Sequence, residues 1–123
     1  PVADNNHPDL LRLWALELRE AAGEPADALL TEVDHLLRTT SGGRPMLLAV
    51  KADLQSRGGD RAGAEATARA ALGELNAYRS ELDVRAYRGA TLERLQKVSS
   101  RINDAAMLEA VRLASHDSKP SDS

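Results

Sequence analysis

The feature that most constrains this chain is a stretch of sequence that occurs twice, in the same register, 36 residues apart. The later copy runs from Met46 to Leu75, and the earlier copy matches it without a gap through the turn at its centre. Matched pairs include Leu11 with Leu47, Glu17 with Asp53, Gly23 with Gly59 and Ala28 with Ala64. A period of this length indicates supersecondary units that stack on one another.

The later copy has the pattern of two antiparallel helices. Leu47, Val50 and Leu54 lie at i, i+3 and i+7, on one face of a 3.6-residue helical period. Gly59 can end that helix because glycine adopts positive φ without a steric penalty. Asp60 can then cap the next helix by accepting a hydrogen bond from a free backbone N–H. The copy is therefore predicted to be a helical hairpin.

The second helix of this hairpin has a stripe made mostly of small residues. The stripe consists of Ala64, Ala68, Ala71, Leu75 and Tyr78. Small side chains allow a facing helix to approach closely, so the stripe predicts tight packing and not a chemical site.

Composition favours helices along the whole chain. The sequence has no Phe and no Cys, and its aromatic residues are one Trp and two Tyr. We predict an all-α domain of about six helices, because the chain is poor in the aromatic and β-branched residues typical of strands. The predicted parts are a flexible arm over residues 1–8, hairpins over about 9–39, 45–78 and 80–115, and a disordered tail over 116–123.

The third hairpin is the least well defined by the sequence. Ser80 to Asp83 resembles a capping box at the start of a fifth helix. No strong helix breaker lies between Ser99 and Asp104, so the pattern does not locate the turn before a sixth helix.

These hairpins resemble degenerate tetratricopeptide-type repeats, similar to the helical sensor domains of large bacterial transcription activators. The resemblance is carried by Gly23 with Ala28, and by Gly59 with Ala64 and Ala71. The first-helix stripe lies one residue further from the turn glycine than in the family pattern, and the third unit lacks that glycine. The resemblance implies a short α-solenoid that binds a protein or ligand and has no enzymatic activity.

The resemblance also implies that one face of each first helix lines a concave binding surface. The predicted partner-binding residues on that face are Arg12, Leu16, Arg19, Leu48, Ala52 and Gln55. Arginines at such positions can form paired hydrogen bonds with a carboxylate of a peptide or protein partner. The alternative, that the two arginines are solubilising surface residues, stays open.

The first helix is apolar on more sides than one neighbour can cover. Leu10, Leu13 and Trp14 are therefore predicted to form an interface, either with a partner or in a weak homodimer.

We predict no catalytic centre, metal site or cofactor. Glu32 and His35 have the E-x-x-H spacing of carboxylate-bridged di-iron bundles, but the sequence has no second pair of this kind. It also has no cysteine, no G-x-S-x-G and no phosphate-binding G-x-x-x-x-G-K motif. The Glu32 and His35 pair is therefore interpreted as an exposed i,i+3 pair.

Charge and composition also limit the partners. A net charge of −3 and the scarcity of aromatic residues disfavour nucleic acid, although the basic segment from Arg79 to Arg101 keeps that alternative open. No apolar run approaches the roughly 20 residues of a membrane helix, so no membrane partner is expected. The absence of cysteine fits a reducing compartment, and we expect the protein in the cytoplasm.

The function predicted from these patterns is a non-enzymatic protein-interaction or ligand-sensing module, in a bacterial regulator. Two alternatives remain open at this stage. The chain could be a chaperone-like protein that sequesters a partner helix, or a non-catalytic subunit of an enzyme complex.

Overall fold

A computed structural model describes the backbone of residues 8–39, 44–77 and 82–117, and the side chains of 15–39, 44–77 and 88–115. Over these ranges the chain forms six α-helices and no strand. The helices are α1 Pro8–Ala21, α2 Ala26–Thr39, α3 Arg44–Arg57, α4 Arg61–Ala77, α5 Leu82–Arg101 and α6 Ala105–Asp117. The all-α prediction is confirmed. Helix α6 extends two residues into the segment predicted to be a disordered tail.

The two helices of each hairpin are joined by the same kind of turn. In each turn one residue has positive φ: Gly23 at 87°, Gly59 at 91° and Asn103 at 60°. The N–H of that residue donates to the carbonyl three residues earlier, and the next N–H donates to the carbonyl five residues before it. This is the Schellman arrangement, which satisfies the last carbonyls of a helix.

The structure locates the third turn, which the sequence pattern between Ser99 and Asp104 leaves open. Asn103 occupies the left-handed position that glycine occupies in the other two turns. Asparagine tolerates this conformation better than most residues because its short polar side chain can form local hydrogen bonds. Asp104 then caps α6, its carboxylate accepting from the backbone N–H of Met107 at 3.0 Å.

Helix α3 is at the centre of the fold. It packs against α2, α4 and α5, and most of its residues are buried. Its two sides belong to two separate apolar clusters. One cluster joins α3 to α1 and α2 through Leu16, Leu29, Val33, Leu36, Met46, Leu47, Val50 and Leu54. The other joins Leu48, Ala49 and Ala52 to α4, α5 and α6.

The alanine stripe of α4 packs tightly in this second cluster. Ala64, Ala68 and Ala71 are fully buried, as is Leu75. Helix α3 packs on α4, as the small side chains of the stripe predict. Tyr78 lies outside the described residues.

Helix α1 and its repeat equivalent α3 do not bury the same leucine position. Leu54 is 1% exposed and packs in the cluster with α2, the helix that precedes α3. Leu18, at the matching position of α1, is 60% exposed. Among the leucines of α1 whose side chains are described, Leu16 is the buried one, at 2% exposure.

Candidate functional site

A small charged cleft lies where the first helices of the three hairpins meet. Its volume is about 120 Å³. It is lined by Glu17 of α1, by Met46 and Asp53 of α3, and by Ala90, Glu93, Arg94 and Lys97 of α5. The cleft thus brings charged side chains from all three hairpins within reach of one another.

Three of these charged residues occupy the same position in their hairpins. Glu17, Asp53 and Lys97 each lie six residues before the positive-φ residue of the turn that follows. Because the three turns share one geometry, this position has a similar placement in each hairpin. Two acids and one lysine therefore line the cleft from corresponding places.

Asp53 is the buried carboxylate of the site, with a side chain that is 9% exposed. Arg94 Nη1 donates to its Oδ2 at 2.8 Å, and Arg101 Nη1 donates to its Oδ1. Arg57 Nη2 lies 3.7 Å from Oδ2. A buried charge is tolerated only when it is paired and hydrogen-bonded, and three arginines provide those partners.

Two further carboxylates reach the arginines from α1. Glu20 accepts from Arg94 Nη1 at 3.2 Å and is also paired with Arg57. Glu17 Oε2 lies 3.6 Å from Arg94 Nη2. The two glutamates are three residues apart, on one face of the helix. This network joins the first hairpin to the other two.

Arg94 is the residue that all three carboxylates share, and its side chain is 17% exposed. Burial lowers the pKa of its guanidinium, but the hydrogen bond to Glu20 and the charges of the surrounding carboxylates more than offset that effect. The pKa of Arg94 is therefore raised, and this arginine carries its charge at every physiological pH.

Glu93 and Lys97 lie on the outer side of the cleft, and both are exposed. Neither forms an ion pair or side-chain hydrogen bond with a residue whose side chain is described here. They are one helical turn apart on α5. The cleft therefore presents one negative and one positive group whose charges are available to a bound molecule.

Three of the predicted partner-binding residues are in the core. Leu16, Leu48 and Ala52 are 2%, 8% and 0% exposed. Leu16 packs with residues of α2, and the other two pack with residues of α4 and α5. The prediction that they line an open surface is corrected: that face of each first helix contacts neighbouring helices.

Arg19 and Gln55 are the two polar residues of the predicted face whose side chains are described, and both are only partly exposed. Arg19 forms a paired interaction with Glu24 across the first turn, Nη2 to Oε1 being 2.8 Å, and lies 3.7 Å from Glu32. The hydrogen bond to Glu24 raises the pKa of Arg19 and lowers that of Glu24. Gln55 is half-buried, and its Oε1 has no hydrogen-bond partner among the described residues.

Four other predicted residues belong to α1 but lie outside the described side chains. They are Leu10, Arg12, Leu13 and Trp14. Their predicted roles in partner binding and self-association stay predictions.

The repeat contains one indication of the cleft that the predicted binding residues do not include. Glu17 matches Asp53 in the 36-residue repeat, so both first helices place an acid at the same position. The predicted binding face contains Leu16 and Ala52, which directly precede these two acids. A shift of one residue turns the direction of a side chain by about 100° around the helix axis. The contribution of Lys97 and Arg94 depends on the third turn, which the sequence pattern did not locate.

The E-x-x-H pair has an ordinary surface environment. Glu32 is near Arg19, and His35 is exposed. Within the described part of the chain, no three His, Asp or Glu side chains are grouped so that they could hold a metal ion.

Comparison with known proteins gives no family for this chain: no family model, curated protein or solved structure matches it significantly. None of the helices that the structure describes has the length and apolar character needed to span a bilayer.

Proposed function

We propose that this chain is a non-enzymatic interaction module that binds a protein or peptide partner at the charged cleft. The observation that carries the proposal is the placement of Glu17, Asp53 and Lys97 at one position of three hairpins, facing one cleft. A surface built from corresponding positions of repeated units is suited to an extended partner, which can contact every unit in turn.

The chemistry of the cleft supports binding in preference to catalysis. The buried carboxylate of Asp53 is already paired, because Arg94 and Arg101 both donate hydrogen bonds to it. Glu93 and Lys97 are exposed and offer charges of both signs at the edge. Such rim charges steer and orient a partner.

The repeated turns support a stack of hairpins in the manner of tetratricopeptide-type repeats. Each described helix packs against the next one in the chain, and α3 also packs against α5. By that resemblance we propose a role in a bacterial regulator. We also propose that the protein acts in the cytoplasm, since it has no cysteine to form disulfides.

The test is capture of a partner from native extract, with two charge-reversed variants used in parallel. Lys97→Glu changes the cleft, and Arg61→Glu reverses a charge at an exposed residue that begins α4. A partner identified by mass spectrometry is then purified, and its dissociation constant is measured by calorimetry with each variant.

We expect Lys97→Glu to weaken binding by about tenfold and to change its salt dependence, while Arg61→Glu binds like the parent. A partner bound equally by all three proteins shows that the cleft is not the binding surface. Capture of many unfolded chains favours the chaperone alternative, and capture of one enzyme favours the subunit alternative.

A further inference from the structure

Two of the three arginines around Asp53 are also paired with acids from α1. Arg57, Arg94 and Arg101 come from α3 and α5, and these two helices supply one carboxylate to them, Asp53. Three guanidinium groups against one carboxylate leave an excess of two positive charges. Helix α1 offsets this excess with two glutamates.

Those two glutamates form a compact pattern. Glu17 and Glu20 lie three residues apart and both reach Arg94, while Glu20 also pairs with Arg57. Leu16, directly before them, enters the apolar cluster of α2 and α3. A leucine followed by two acids on one helix face is therefore what the site accepts.

Apart from these ion pairs, the described part of α1 is attached by Leu16 and by Arg19, which lies 3.7 Å from Glu32 of α2. Of its apolar residues from 15 to 21, Leu16 is buried, whereas Ala15, Leu18 and Ala21 are exposed. The turn that follows α1 contains Gly23 at positive φ, a residue that accepts large backbone changes. The ion pair of Glu17, whose side chain is 40% exposed, contributes little net stability, so an equivalent pair from another chain can replace it.

We propose that α1 is a displaceable cover, and that Arg57 and Arg94 beneath it are a docking site for an acidic amphipathic helix of a partner protein. The partner helix has an apolar residue, an acid directly after it and a second acid three residues later. It replaces both the charges and the buried leucine of α1. This inference rests on the proposed function: the partner helix supplies an acid in place of Glu17, while Asp53 and Lys97 continue to line the cleft.

The test uses two labelled peptides as probes. One has the sequence of residues 8–21, and the other is identical except that the two glutamates corresponding to Glu17 and Glu20 are glutamines. Their binding is measured by fluorescence anisotropy to the full-length parent, to the variant Glu17→Gln with Glu20→Gln, and to the control Glu109→Gln. Glu109 is an exposed acid of α6 that pairs with Arg112.

We expect the acidic peptide to bind the double variant at least about tenfold more tightly than the parent, because a weakened cover leaves the site open more often. The control binds like the parent, and the glutamine peptide binds none of them measurably. Equal affinity of both peptides, or no binding to the double variant, overturns the proposal. Dimers of the double variant that the acidic peptide dissociates identify a second copy as the occupant, which also overturns it.

Hydrogen exchange on the unmodified protein tests the same point if the double variant does not fold. The amides of α1 should exchange faster than those of α3, and adding the acidic peptide should speed exchange in α1 alone. Identical exchange of α1 and α3 shows that α1 opens only on global unfolding, and overturns the proposal. A partner whose binding depends on Lys97 would still support the proposed function in that case.

Discussion

Arg94 on α5 donates a hydrogen bond to the buried carboxylate of Asp53 on α3, with Nη1 2.8 Å from Oδ2. The two residues are far apart in sequence but belong to the first helices of adjacent hairpins. Glu20 of α1 accepts from the same nitrogen at 3.2 Å. One guanidinium group therefore contacts both preceding hairpins.

Removal of the Asp53 carboxylate should be strongly destabilising. Asp53→Ala leaves three arginines around a site without its central charge, and loss of one partner from a buried ion pair costs about 3–5 kcal/mol. The measurement is the free energy of unfolding from urea denaturation.

The matched control is Asp34→Ala on α2. Asp34 pairs with Lys51 at 2.9 Å, but its side chain is 43% exposed. Exposed pairs contribute about 0–1 kcal/mol, so this change should be mild. Equal losses in the two variants would contradict the buried role of Asp53.

Asn103 should tolerate glycine better than alanine. Its φ of 60° is in the left-handed region, where a Cβ costs about 1–2 kcal/mol. We expect Asn103→Ala to lower the free energy of unfolding by about that amount, and Asn103→Gly to be neutral or slightly stabilising. Both variants lose the amide side chain, so their difference isolates the backbone effect. Equal stability of the two would show that φ relaxes when the residue changes.

The sequence predicted the helical class and the first two hairpins because their signals are local. The glycines at 23 and 59, the alanine stripe of α4 and the repeat all follow from spacing and backbone preference. The third turn could not be located because asparagine, unlike glycine, is common outside left-handed positions and so marks such a turn only weakly. The role of Asn103 is recognised only when its positive φ is compared with that of Gly59 in the equivalent turn.

The binding face was harder to predict because it depends on which neighbour covers each side of a helix. Leu18 and Leu54 match in the repeat, yet one is exposed and the other buried. Packing of α3 with α4 and α5 buries Leu48 and Ala52, which the resemblance predicts on a concave surface. Long-range pairs such as Asp53 with Arg94 have no local pattern at all.

Asp104 should contribute stability that depends on pH. The backbone N–H of Met107 is the main cause that lowers the pKa of its carboxyl, and Arg69 at 3.4 Å acts in the same direction. The contribution is complete above the unfolded pKa of about 3.9 and is lost as pH falls through the lower folded pKa. Acid should therefore weaken the fold.

The comparison is with Asp104→Asn, since asparagine can still cap α6 but cannot ionise. The free energies of unfolding of the two proteins, measured from pH 6 to pH 2, should differ most at the upper end and converge at the lower end. Parallel curves would mean that the charge of Asp104 has no effect on stability.

The packing of α4 on α3 should be intolerant of larger side chains. Ala68 is fully buried in the alanine stripe, so Ala68→Leu forces added volume into a filled interface. Overpacking of this kind costs about 1–3 kcal/mol. Ala66, on the exposed side of the same helix, provides the control, and Ala66→Leu should change stability by less than about 0.5 kcal/mol. Similar losses at both positions would show that leucine destabilises helix α4 itself and not its packing on α3.

Self-association through α1 stays a prediction, and the exposed side chain of Leu18 gives it a specific test. Burial of one leucine contributes about 1.5–3 kcal/mol. Association itself costs more, about 4–15 kcal/mol. A dimer therefore also needs the predicted apolar residues Leu10, Leu13 and Trp14, and it should be weak and concentration-dependent.

Sedimentation velocity at several protein concentrations measures this equilibrium. We expect the parent to shift toward dimer as concentration rises, and Leu18→Glu to remain monomeric because a charge cannot be buried in an apolar contact without a partner. Leu113, 52% exposed on α6, is the control, and Leu113→Glu should associate like the parent. A parent that is monomeric at every concentration rules out the dimer. Equal weakening of dimerisation by both substitutions would show that the contact is not specific to α1.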